Sequence, residues 1–142
     1  MSLVFEELDF QPTPLGDISL RCRREPKLDN ELAYEVKLGD EFLMSSLFTV
    51  GERALATHTL NAHGGETLAV LIGGLGLGYT AAAALDCNNA DEVVVVEALA
   101  PVIDWHERGL VPLGPVLSAA SRCRFVHGDF FQMASSAAGF AI

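Results

Sequence analysis

Three cysteines in 142 residues, Cys22, Cys87 and Cys123, are odd in number, far apart and in no CxxC pair. That excludes a disulfide framework and a zinc ribbon, and it fits a reducing compartment. Basic side chains are scarce as well: 9 against 19 acidic ones, for a formal net charge of −10. A surface of that sign repels phosphate backbones and anionic membranes, so neither nucleic acid nor a membrane is expected as a partner. The one basic cluster, Arg21 to Lys27, is short enough to be a solvated strand end. No apolar run approaches the length of about 18 residues that a membrane helix needs. The start, MSLVFEELDF, lacks the basic region and apolar core of a secretory signal, so a cytoplasmic location is expected. The four histidines, His58, His63, His106 and His127, show no HExxH-type spacing, so no metal site is expected. The serine pairs 45–46 and 135–136 lie outside any nucleophile-elbow context.

What remains is a core-forming chain, half of it hydrophobic and a fifth charged. Asp17 to Arg23 alternates, with Ile18, Leu20 and Cys22 on one side, and predicts a strand. Residues 32–48 read as a β-hairpin turning at Gly39–Glu41. The acidic stretch Phe5 to Asp9 reads as an exposed, frayed end. Thr49 followed three residues later by Glu52 is a capping box. It predicts a helix over 50–62, with Ala54, Leu55, His58 and Ala62 in register and Gly64-Gly65 as the stop.

From residue 66 the rhythm changes. Leu68–Ile72 and Glu92–Glu97 are unbroken apolar strands, a third strand covers Arg124–Gly128, and helical stretches separate them. One helix starts at Gly78 and ends at Leu85, and another carries Trp105, expected to bury one face against the sheet. Strands without alternation are covered on both faces, as in parallel α/β sheets. The expected fold class is therefore α/β: the front half of a Rossmann-like, doubly wound parallel sheet, preceded by a small N-terminal β module. The expected division is 1–62 for the β module with its linking helix and 63–142 for the nucleotide-type domain, read as truncated. On that reading Leu68–Ile72 is left as an unpaired edge.

The sequence LAVLIGGLGLGYT, residues 68–80, packs glycines at 73, 74, 76 and 78. Each glycine costs about 1 kcal/mol relative to alanine inside a regular element, so the cluster needs a reason. A strand that ends in glycines and opens a helix offers bare N–H groups to a ligand in the crevice. The phosphate loop GxxxxGK[ST] fails, because Tyr79 stands where the lysine must be. The dinucleotide pattern GxGxxG/A fits Gly76, Gly78 and Ala81, but displaced four residues beyond the strand end. The third pattern, GGxGxG, puts Gly73 and Gly74 at the strand end itself. Glu97 ends the next strand, where a carboxylate can accept from ribose hydroxyls, and Asp129 ends the third.

This set resembles the first motifs of the class I S-adenosylmethionine-dependent methyltransferase superfamily, and in particular its spermidine-synthase-like branch. The resemblance spans about residues 66 to 133. It implies that Gly73, Gly74, Gly76 and Gly78 pass under the nucleoside and Glu97 holds the ribose. It further implies that Asp129 meets the exocyclic amine of adenine and Phe130, with Phe131, walls the ring. The implied cofactor is S-adenosylmethionine, or decarboxylated S-adenosylmethionine, and the implied chemistry is methyl or aminopropyl transfer to a small acceptor. The sequence departs from the branch at Met44 and at Leu55-Ala56, where that family carries Gln and Tyr-His. An NAD-dependent oxidoreductase domain and a non-catalytic nucleoside-binding protein stand as alternatives, and no catalytic base can be named. A homo-oligomer is left open.

Overall fold

The computed structural model describes residues 5–136 and 140–141. The chain forms two compact units, Met1–Thr49 and Val50–Ile142.

The first unit is an antiparallel meander of four strands in sequence order: β1 (Phe5–Thr13), β2 (Gly16–Glu25), β3 (Glu31–Leu38) and β4 (Glu41–Ser45). The expected strand and hairpin are both present, with β4 ending at Ser45. Ile18 pairs with Leu38, Leu20 with Val36 and Cys22 with Tyr34, so the apolar positions share one face. Arg21 and Arg23 lie on the opposite face with the buried Glu35. The Glu35 carboxylate accepts from Arg23 Nε at 2.7 Å and lies 3.4 Å from Arg21 Nε. The basic cluster is thus answered largely by the module's own acids.

The acidic stretch is not frayed from Phe5 onward. It is an edge strand held to β2 by backbone pairing, from Phe5↔Arg23 to Thr13↔Gly16, with a register shift between Glu7 and Asp9. That shift breaks the alternation, and most of the strand's side chains stay exposed. A burial signal was therefore missing from its sequence.

The second unit is a four-stranded parallel sheet in the order β7-β6-β5-β8. Its strands are β5 (Leu68–Gly73), β6 (Ala90–Glu97), β7 (Cys123–His127) and β8 (Phe140–Ala141). The helices are α1 (Val50–Ala62), α2 (Tyr79–Leu85), α3 (Ala100–Glu107), α4 (Gly114–Ala119) and α5 (Phe130–Ser136). The fold class is α/β: an antiparallel module followed in the chain by a parallel Rossmann-like sheet, as the unbroken apolar strands predict. Val93 to Val96 are all buried. Leu71, Val94 and Val96 pack under Phe130, Met133 and Ala134 of α5, while α2 and α3 contact the same central strands.

Two expectations change. β5 is not an unpaired edge, because Ala69 pairs with Phe140 and Val70 with Ala141 in parallel. A strand this short carries no apolar run to read. On α1 the buried stripe is Ala56 and Leu60, whereas His58 is exposed and Leu55 is 64% exposed. Both stripes obey the helical period, so periodicity alone could not choose between them. Among the described residues no helix is long and apolar enough to cross a membrane.

Candidate functional site

The strand order places β6 and then β7 to one side of β5 and β8 to the other. In open α/β sheets that reversal opens a crevice at the carboxyl ends of the strands. The glycine turn, residues 73–78, sits at the end of β5, at this reversal.

The turn is fixed from within. Gly74 N donates to Val96 O at 2.8 Å and Gly78 N to Leu75 O at 2.8 Å. Leu75 and Leu77, between the glycines, are buried. Gly74 and Gly78 have φ of +91° and +90°, conformations a side chain rarely adopts. Gly73, Gly74 and Gly78 differ in what surrounds them. A Cβ at Gly73 would lie 2.7 Å from Phe130 Cγ, so the phenyl ring fills that place. One at Gly78 would lie 2.5 Å from Leu117 Cδ1 and 3.1 Å from His106 Nε2. Two glycines therefore serve the protein's own packing. Gly74 differs: nothing lies within 4 Å of its Cβ position. The turn has one bare, open face.

Glu97 is bonded to that turn. Oε1 accepts from Leu75 N at 2.9 Å and, more weakly, from Gly76 N at 3.4 Å, while Oε2 accepts from Leu99 N at 3.0 Å. The carboxylate is 8% exposed. It satisfies N–H groups in the turns after β5 and β6, groups with no partner in either strand. An ionised carboxylate has about four acceptor positions, and three donors leave one, on Oε2.

Asp129 is exposed at the tip of β7. Its Oδ1 accepts from Gln132 N at 3.2 Å, which caps the first turn of α5. The next residue places its ring over Gly73, and Phe130 meets Phe131 edge to face with centroids 5.6 Å apart. Phe131 itself is 82% exposed. The structure thus brings Gly73, Gly74, Gly76, Gly78, Glu97 and Phe130 together. It places Asp129 just before Phe130, with one oxygen engaged in the helix cap.

Sequence reasoning passed over His106. It is fully buried, and Nδ1 lies 2.9 Å from Val102 O. Nε2 has no hydrogen-bond partner. Burial holds its pKa below the ordinary 6.5, opposed by the carbonyls of Val102 and Leu77 and by the charge of Glu97. The available signal was its position four residues after Val102 and beside Trp105, on the buried stripe of α3.

Among the solved structures that share this architecture are two spermidine synthases, each match covering most of this chain. Spermidine synthase from Thermotoga maritima superposes with a TM-score of 0.67 at 15% identity, over 87% of this chain and 41% of its own. The fold is spermidine-synthase-like. A spermidine synthase in complex with the transition state analogue AdoDATO gives 0.66 at 16% identity, over 86% of this chain and 39% of its own. This chain therefore spans about two fifths of the length of either neighbour. No family model matches the sequence, and no curated protein matches it significantly.

Proposed function

We propose that this chain carries the nucleoside-binding part of a spermidine-synthase-like transferase whose ligand is S-adenosylmethionine or its decarboxylated form. The observation that carries the reading is Glu97, a nearly buried carboxylate tied to the glycine turn with an acceptor position left over. A ribose hydroxyl is the kind of donor that such a position takes. The open face at Gly74 leaves room for the nucleoside to approach the backbone closely. Phe130 supplies an apolar ring beside the turn, and the Asp129 oxygen not used in the cap is an acceptor for the exocyclic amine of adenine. The likeness in fold to two spermidine synthases supports the same ligand class.

The ligand brings an electrophilic carbon already attached to a sulfonium leaving group. The chain's part is to hold that carbon in line with an acceptor, and orientation of this kind supplies up to about 7–11 kcal/mol in well-aligned systems. A small amine acceptor also needs a proton acceptor. No described residue is assigned that role.

The test is calorimetric titration of the chain with S-adenosylhomocysteine and, separately, with NADH. The reading expects heat of binding for the first and none for the second. NADH binding, or binding of neither, would falsify it. Glu97→Ala should weaken S-adenosylhomocysteine by about tenfold or more, the equivalent of about 1.4 kcal/mol.

A further inference from the structure

His106 lies where α3, α4 and the glycine turn meet. Its ring faces Phe125 of β7 edge-on, with centroids 5.7 Å apart. Its Nε2 would be 3.1 Å from a Cβ on Gly78. Its backbone carbonyl accepts from Ser118 Oγ at 3.2 Å and from Gly109 N at 3.1 Å. A carbonyl only accepts, so the contact of Nδ1 with Val102 O fixes the neutral proton on Nδ1. Nε2 is then a bare lone pair in the interior with no hydrogen-bond partner, close against Gly78, and the backbone of the preceding Leu77 favours a proton on the ring. A neutral imidazole has one N–H for two carbonyls. Only the protonated ring has two.

We propose that His106 is a positioning residue for the glycine turn, and that proton uptake at Nε2 draws in the Leu77 carbonyl and reshapes the turn. The step moves one proton from solvent to Nε2 and makes one N–H···O contact. The charged group acting on the ring is Glu97 of β6, whose carboxylate holds Leu75 N and Gly76 N of the same turn. On its own helix, Asp104 pairs with Arg108 at 3.0 Å and Glu107 is exposed. From β7, the titratable side chains on the Phe125 face are Cys123 and His127, and His127 Nε2 lies 3.0 Å from Ala98 O. From α4 the neighbours are the apolar Leu117 and, just before it, Leu113. Proton and nucleoside thus act on one turn, and each alters the affinity for the other.

The first experiment needs no ligand. In nitrogen-15 NMR of the full chain between about pH 8 and pH 5.5, the His106 ring signals should titrate with a midpoint below 6.5, and the amides of Leu77 and Gly78 should follow the same curve. Glu97→Gln should move that midpoint further down, and His106→Gln should abolish the shared curve. Leu77 and Gly78 amides that stay still while His106 titrates would overturn the proposal, as would a ring that takes up no proton in this range. If His106→Gln does not fold, the wild-type correlation of ring with amides decides.

The second experiment rests on the nucleoside reading: S-adenosylhomocysteine affinity should change about fivefold or more across that pH range in wild type and stay flat in His106→Gln. Equal pH slopes in the two proteins would overturn the coupling. A shared ring–amide curve with no S-adenosylhomocysteine binding at any pH would overturn the nucleoside reading and leave the positioning role standing.

Discussion

Glu97 commits its carboxylate to the backbone before any ligand arrives. With Leu75 N, Gly76 N and Leu99 N all dependent on it, removing the side chain leaves orphaned donors at two turns. Glu97→Ala is expected to cost about 2–4 kcal/mol in urea unfolding, and Glu97→Gln, which keeps one acceptor oxygen, about half as much. His106 gives a second prediction at this scale. Its pKa is lowered in the folded chain, chiefly by burial, so the unfolded chain takes up the proton first as pH falls. Its contribution is complete above the ordinary value of 6.5 and is lost as pH falls through the lower folded value. Melting temperature should therefore drop between about pH 7 and pH 5, and less steeply in His106→Gln. Glu97 was legible in the sequence because it ends a buried strand. The reasons for Gly73 and Gly78 were not, since the Phe130 ring and the His106–Leu117 pair that crowd them lie 57, 28 and 39 positions away in the chain.

At the scale of elements, the central strands announce themselves and the marginal ones do not. Val93–Val96 need no partner to be recognised as a strand buried on both faces. β1 and β8 owe their existence to pairing with β2 and β5, a property of the folded sheet and not of their own residues. α1 is intermediate: its span was readable from the capping box and the double glycine, but its buried face was not. That face yields a direct check. Leu60→Ala should cost about 2–4 kcal/mol in chemical denaturation, whereas Leu55→Ala should stay within about 0.5 kcal/mol. The reverse order would return the core stripe to Ala54, Leu55 and His58. Asn89 adds a tether, its Nδ2 donating to Leu60 O at 2.8 Å and so tying the end of α1 to the turn before β6.

Across the whole molecule, the order of elements and the reversal of strand order about β5 set the candidate site. An α/β sheet with glycines after its first strand and acids after the next two was readable from the chain. The reversal itself was not, because it depends on a two-residue strand. The likeness in fold to spermidine synthases, at 15% and 16% identity, rests on this arrangement far more than on individual side chains. The most direct check is a crystal structure of the chain grown with S-adenosylhomocysteine. We predict the adenosine over the open face of Gly74, a ribose hydroxyl within hydrogen-bond distance of Glu97, and the base beside Phe130. A nucleoside bound elsewhere, or a ribose out of reach of Glu97, would contradict it.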